Sequence, residues 1–135
     1  MKPVIDSDAT PVIAFSKIGK LKLLQQIVGE IIIPEEVSRK LFAYKKADVH
    51  TIKNSKWIKV EKVASRNDVE LLLTALDRGE AEVLVLSKER KADLVFIDEL
   101  SARKVALMMG LSIIGTVGLL IHAKKRGLLK LVKPI

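Results

Sequence analysis

Short apolar runs alternate with longer amphipathic stretches along the chain. The runs are rich in β-branched residues and are bounded by acids, glycine or proline, which is typical of strands. Strands that alternate with helices favour a parallel sheet covered on both faces, so the pattern predicts an α/β fold with four to five central strands. These strands are predicted over Pro3 to Ile5, Glu30 to Ile33, Trp57 to Val60, Leu94 to Ile97 and Leu111 to Ile114.

The helices are predicted from their end signals and their apolar faces. Thr10 is predicted to cap the first helix with Pro11 at its first position, and Gly19 to end it. Pro34 is predicted to open the helix that carries Val37 and Leu41. The other helices are predicted over Leu21 to Val28, Val69 to Leu76, Gly79 to Lys88, Ala102 to Met109 and Thr116 to Arg126.

Length and composition narrow the classes of protein. A chain of 135 residues with 49% hydrophobic residues suits one domain, predicted over 1–135, with a core of its own. The chain has no cysteine, which excludes disulfides, thiolate zinc sites and cysteine nucleophiles and fits a reducing cytoplasm. No apolar stretch reaches the roughly 18 residues that a membrane helix needs, so we expect a soluble cytoplasmic protein without a membrane partner.

The charge balance leaves two interpretations open. Lysine and arginine total 24 against 16 acids, a net charge of +8. Such a charge can attract a polyanion such as RNA through many weak phosphate contacts. It can equally serve only to keep the protein soluble.

Acids follow two of the predicted strands directly. Asp6 and Asp8 come after the first strand, and Asp98 and Glu99 after the strand that ends at Ile97. Ligands of parallel sheets bind beyond the carboxyl ends of the strands, so Asp8 and Asp98 are expected to converge although they are 90 residues apart (98 − 8). Converging carboxylates repel unless a cation neutralises them, and Mg²⁺ or Mn²⁺ prefers such oxygen ligands.

Each acid also has a purely structural interpretation. Glu80 follows Gly79 at a predicted helix start, where an acid complements the helix dipole. Asp98 and Glu99 can cap the helix that follows them, and Thr116 can cap the last helix. The residues alone do not decide between capping and metal binding.

The segment Asp6-Ser7-Asp8-Ala9-Thr10 matches the DxDxT pattern of haloacid-dehalogenase-type phosphatases. In that interpretation Asp6 is the nucleophile and Asp8 a general acid. It requires a strand followed by Ser or Thr before the later acid pair, whereas Thr116 comes after Asp98. The order of the motifs therefore argues against a phosphatase, which stays a minor alternative.

A second resemblance covers most of the chain. The opening segment from Asp8 to Gly19 resembles the branch of the PIN-domain family known as DUF3368, whose members are similar to VapC-type toxins. Further matching segments follow in the expected order, each weakly specific alone: Gly29 to Val37, Leu76 to Glu82, Ile97 to Ala106, Ile114 to Gly118 and Ala123 to Gly127. The resemblance implies a three-layer α/β/α fold and metal-dependent hydrolysis of RNA phosphodiester bonds.

The resemblance also implies roles for the acids. Asp8, Glu80 and Asp98 match the family's catalytic acids and would hold Mg²⁺ or Mn²⁺, with Glu99 beside them as a further ligand. Thr10 or Thr116 would hydrogen-bond a ligand carboxylate or a metal-bound water. The partners implied are RNA, an antitoxin protein and a second copy in a homodimer.

Basic residues are predicted as phosphate contacts of the bound RNA. Lys17, Arg103 and Lys124 are the candidates, on the expectation that they flank the acidic site.

The chain departs from the family's pattern at Lys40, where an acid is expected after the second strand. Glu36, one helical turn earlier, either supplies a carboxylate to the same face or pairs with Lys40 at i,i+4, and the pairing is favoured. An ammonium among carboxylates weakens metal binding, so Lys40→Glu is predicted to tighten Mn²⁺ binding. The alternative function is therefore a catalytically weakened module that binds RNA or a protein.

Overall fold

Five parallel strands form one sheet at the centre of the computed structural model, which describes residues 3–44, 52 and 55–126. The strands lie in the order β3-β2-β1-β4-β5. Their bounds are β1 Ile5–Ser7, β2 Ile31–Pro34, β3 Ile58–Glu61, β4 Leu94–Phe96 and β5 Ile113–Ile114. The central parallel sheet that the sequence predicts is confirmed.

The strand order reverses between β1 and β4. The chain adds β2 and β3 on one side of β1, then returns to add β4 and β5 on the other. Ser7 of β1 pairs with Phe96 of β4, so the two strands end level with each other. The crevice at the carboxyl ends of these strands is where ligands bind in open parallel sheets.

Helices cover both faces of the sheet. In one layer α1 (Ala9–Lys17) packs against α2 (Leu21–Val28), α3 (Glu35–Ala43) and α7 (Thr116–Lys125). In the other, α5 (Arg78–Arg90) packs against α4 (Arg66–Leu72) and α6 (Leu100–Met108), and lies against β1, β2 and β4. This is the predicted three-layer α/β/α architecture.

Helix α5 is the most deeply buried helix of the described chain. Every residue from Gly79 to Ser87 is buried, so this helix shows no exposed polar stripe over most of its length. Burial of the Val83, Leu84 and Leu86 side chains stabilises the fold by about 1.5–3 kcal/mol for each side chain. Packing therefore fixes the first turn of α5, which carries Glu80, relative to the sheet.

Two boundaries near the amino terminus differ from the prediction. The first strand covers Ile5–Ser7 instead of Pro3 to Ile5, because Asp6 and Ser7 are buried and paired with Val95 and Phe96. Helix α1 begins at Ala9 with Asp8 as its cap, so the prediction that Thr10 caps it is wrong.

Other boundaries shift by a few residues. Ser65 caps α4, which covers Arg66–Leu72 instead of Val69 to Leu76. Strand β5 keeps only Ile113–Ile114 of its predicted span. Among residues 3–44, 52 and 55–126, no helix has the length and apolarity needed to cross a membrane. The single domain over 1–135 stays a prediction.

Candidate acidic site

Asp8 lies at the carboxyl end of β1, where the strand turns into α1. Its backbone N–H donates to the Phe96 carbonyl at 2.9 Å, which ties it to β4. Its own backbone is extended, and its Oδ1 accepts from the Ala9 N–H at 2.8 Å. A carboxylate at a helix amino terminus satisfies free N–H groups and complements the helix dipole. Asp8 is 6% exposed, so its charge is largely removed from water.

Glu80 is held in the first turn of α5 by a reciprocal cap with Asp77. The Glu80 N–H donates to Asp77 Oδ1 at 2.8 Å, and the Asp77 N–H donates to Glu80 Oε1 at 3.1 Å. This is a capping box, and Glu80 is buried within it. Asp77 was not predicted as part of the site, although its spacing of three residues from Glu80 is the signal of such a box.

Asp98 follows Ile97 just beyond β4 and is fixed by Thr116. The Thr116 N–H donates to Asp98 Oδ1 at 2.6 Å, and its hydroxyl donates to Oδ2 at 2.5 Å. A Cβ at Gly115 would lie 2.6 Å from Asp98 Oδ1 and 3.0 Å from Arg103 Nη1, so glycine leaves room for both groups. Thr116 thus makes the type of contact that was predicted for it, and Arg103 lies beside Asp98.

The acids act on one another electrostatically. Burial raises the pKa of Asp8, the ammonium of Lys40 opposes this rise, and the charges of Asp77 and Asp98 add to it. Burial likewise raises the pKa of Glu80, with the charges of Asp77, Asp8 and Glu99 adding to the effect and the Asp77 N–H opposing it. We call Asp8, Asp77, Glu80 and Asp98 the edge cluster.

Lys40 extends from α3 into the edge cluster. Its Nζ lies 3.1 Å from Asp77 Oδ2. Burial lowers the pKa of Lys40, but Asp77, Asp8 and Glu80 outweigh that effect and the net shift is upward. The predicted pairing of Glu36 with Lys40 is wrong: Glu36 pairs with Arg39 at 3.1 Å, and Lys40 turns to an acid on another helix.

The family of the chain follows from a comparison with models of known protein families. The model of DUF3368, described as a PIN domain, matches residues 4–135. The chain belongs to the PIN-domain family. PIN domains are generally nucleases that typically use divalent metals, and the family often binds RNA and antitoxins. A search of curated proteins finds no match.

The carboxylate oxygens of the edge cluster are the kind of ligand that a hard divalent ion prefers. Asp8 Oδ2 and Glu80 Oε2 accept no hydrogen bond from the described residues, and neither oxygen is sealed from solvent. The described residues contain no group of three acids or histidines spaced to hold an ion as they stand. The described residues therefore match a divalent ion in the type of their ligands but form no preformed cage for one.

Several predicted site residues lie outside this cluster. Thr10 is exposed, and its side chain makes no hydrogen bond with the described residues. Glu99 caps α6 by accepting from the Ala102 N–H at 2.9 Å, so its structural interpretation is confirmed. Lys17 and Lys124 lie near the far ends of α1 and α7, roughly 12 Å along the helix axes from Ala9 and Thr116, and their role as RNA contacts stays a prediction.

Two further acids, Asp6 and Glu82, are buried, and the sequence did not predict their burial. Asp6 is fully buried and accepts from Ser87 Oγ at 2.8 Å. Glu82 is buried, lies 3.0 Å from Arg66 Nη2 and accepts from the Glu36 N–H at 3.2 Å. Because Asp6 is enclosed, it cannot serve as the exposed nucleophile that the phosphatase interpretation requires.

Proposed function

We propose that this PIN domain is a metal-dependent endoribonuclease that hydrolyses RNA phosphodiester bonds. The observation that carries the proposal is that the charge of Asp98 acts on Asp8 and the charge of Asp8 acts on Glu80. Asp8 and Glu80 each keep an oxygen that is neither hydrogen-bonded nor fully buried, while burial and like charge disfavour their ionised forms. A protein that needed these acids only as caps would gain nothing from gathering like charges.

Each residue has a distinct role in this proposal. Asp8 and Glu80 hold Mg²⁺ or Mn²⁺, and Asp98 completes the acidic wall in the orientation that Thr116 fixes. When bound, the metal supplies a water of lowered pKa and stabilises charge on the phosphate. Arg103, next to Asp98, contacts the RNA phosphate.

The biological role we propose is that of a toxin in a toxin–antitoxin pair. The family often binds RNA and antitoxins, which supports both partners for this chain. A net charge of +8 favours binding to polyanions such as RNA. A homodimer and a cytoplasmic location belong to the same proposal.

The alternative is a PIN module that binds RNA or a protein and has lost efficient chemistry. The position of Lys40 favours this alternative, because its ammonium neutralises part of the acidic charge that a metal needs. The two functions differ in whether bound RNA is cut.

The test is cleavage of a mixed RNA pool with Mn²⁺, with EDTA, and with Asp8→Asn. Asparagine keeps the helix cap at position 8 while removing the charge. We expect EDTA to abolish cleavage and Asp8→Asn to slow it by at least about 100-fold. The matched control, Asp68→Asn on exposed α4, should cut like the parent.

Cleavage that survives both EDTA and Asp8→Asn would contradict the metal-nuclease proposal. RNA that is retarded on a gel but never cut would favour the binding module instead.

A further inference from the structure

The ammonium of Lys40 lies against a bare patch of helix backbone. A Cβ at Gly79 would lie only 2.6 Å from Lys40 Nζ and 3.1 Å from Cε. Any side chain at position 79 would therefore displace the end of the lysine. The position of Gly79, directly before Glu80 in the first turn of α5, brings the ammonium to the acids.

Three acids hold the ammonium there. Asp77 Oδ2 is its direct partner at 3.1 Å, and Asp8 and Glu80 attract it at longer range. Asp77 in turn is fixed by its reciprocal hydrogen bonds with Glu80. Lys40 thus pairs with the same capping box that presents Glu80, with 39% of its own side chain and 55% of the Asp77 side chain exposed.

We propose that Lys40 is a built-in counter-ion that fills one cation position of the edge cluster, so that the cluster holds a single divalent ion per chain. This inference rests on the proposed function, because it presumes that Asp8 and Glu80 hold that ion. Gly79 and Asp77 are positioning residues: they determine where the ammonium lies and contact no substrate in this account.

The physical reason is repulsion between the ammonium and any metal that enters beside it. A unit charge about 5 Å from a divalent ion changes the affinity of that ion roughly ten-fold even at the dielectric constant of water. A second divalent ion near Asp77 would meet this repulsion at still shorter range. The first ion, between Asp8 and Glu80, is weakened but not excluded.

Glycine at position 79 allows a test that leaves all charges in place. Alanine is the better helix former, and the Gly79 backbone is not in the left-handed region, so Gly79→Ala should fold at least as well as the parent. Its methyl group would push the ammonium away from Glu80. A change in metal affinity in this variant would then report the position of Lys40 and not its charge alone.

The experiment is calorimetric titration of the full chain with Mn²⁺ in the absence of RNA. We expect one ion per parent chain, roughly ten-fold tighter binding in Lys40→Gln, and an intermediate gain in Gly79→Ala. Lys40→Glu should bind still more tightly and take up a second ion. The matched control is Lys91→Glu, which makes the same charge change about 18 Å along α5 from Gly79.

Any of three results would overturn the inference. The first is a parent that binds two ions per chain. The second is that Lys40→Gln and Gly79→Ala bind Mn²⁺ with the parent's affinity. The third is that the Lys91→Glu control gains as much affinity as Lys40→Glu.

The proposed function fails in a different way. If Asp8→Asn binds Mn²⁺ as the parent does, or if no chain binds it, the metal site itself is contradicted. If Asp8→Asn weakens Mn²⁺ binding but Lys40→Gln leaves the affinity unchanged, only the inference that Lys40 is a counter-ion is contradicted.

Discussion

Asp6 and Asp8 lie two residues apart, and the structure gives them opposite surroundings. Asp6 points into the helix layer, where Ser87 donates to its Oδ2 at 2.8 Å. Its Oδ1 is fully buried and has no hydrogen-bond partner among the described residues. Asp8 lies at the end of the strand, with an oxygen open to solvent and other acids facing it.

The same contrast recurs on α5 between Glu80 and Glu82. Glu80 faces the edge cluster, whereas Glu82 is enclosed by a basic partner, Arg66, and by the Glu36 N–H at the start of α3. Glu82 thus accepts hydrogen bonds that compensate its negative charge, while Glu80 has mainly like-charged neighbours.

The comparison shows that a buried acid is not by itself a sign of function. Burial raises the pKa of Asp6 to about 6 and also raises the pKa of Asp8. What distinguishes Asp8 is that the charges of Asp77 and Asp98 act on it and that its unpaired oxygen is not fully buried. Like-charged neighbours and an accessible oxygen together indicate a ligand site.

The largest effect on stability is expected at Asp6. Its pKa is about 6 in the folded chain and near 3.9 in an unfolded one, so the folded state keeps a proton that the unfolded state loses. The free energy of unfolding should therefore fall by about 2 kcal/mol between pH 4 and 6, and by about 3 kcal/mol over the whole range from pH 3 to 7, and stay low above it. Asp6→Asn should remove this slope.

Urea unfolding at pH 4.5 and pH 7.5 measures the effect. The control is Asp68→Asn, which replaces an exposed acid on α4 and should keep the slope. An Asp6→Asn chain with the parent's pH dependence would show that Asp6 is not the group responsible.

Glu82→Gln should cost about 1–3 kcal/mol, because it weakens a charged hydrogen-bond arrangement that joins α5 to Arg66 and to the start of α3. Mn²⁺ affinity should not change, since Glu82 lies outside the edge cluster. Denaturant unfolding and calorimetry on the same samples separate the two quantities. Weaker Mn²⁺ binding with unchanged stability would instead mean that Glu82 belongs to the metal site.

Thr116→Val removes the hydroxyl that donates to Asp98 Oδ2 but leaves the backbone donor to Oδ1. We expect Mn²⁺ affinity to fall about ten-fold, because groups that orient a ligand carboxylate contribute to metal binding. Thr116→Ser keeps the hydroxyl and should restore the affinity. Equal affinities in the parent and in Thr116→Val would remove Asp98 from the site.

Asp8→Asn should leave the metal-free chain as stable as the parent or stabilise it by up to about 1 kcal/mol at pH 8. The substitution removes a charge that burial and Asp77 disfavour, and asparagine retains the cap. Unfolding in urea with EDTA checks this. A loss of more than about 1 kcal/mol would mean that Asp8 serves the fold first.

Most of the sheet could be predicted because its strands are nearly continuous apolar runs, as buried parallel strands require. The first strand was placed too early because Asp6 and Ser7 are polar yet buried, a situation that only their partners in the fold explain. Helix α1 was misplaced for the same reason, since Asp8 acts as a cap as well as a candidate ligand.

The candidate acids could be located because strand ends and a glycine before a helix are local signals. The partner of Lys40 could not, since Asp77 lies 37 residues away on another helix. The rule for pairs one helical turn apart favoured Glu36, and tertiary packing overrode it. The sequence thus pointed to Asp8, Glu80, Asp98 and Lys40, but not to Asp77 or to the ion pair between Asp77 and Lys40.

A crystal of this PIN domain soaked in Mn²⁺, with the ion located by its anomalous scattering, tests the proposed metal site. We predict one peak per chain at the carboxyl ends of β1 and β4, within about 2.0–2.3 Å of carboxylate oxygens of Asp8 and Glu80. No peak there, or a peak bound only by acids outside the edge cluster, would contradict it.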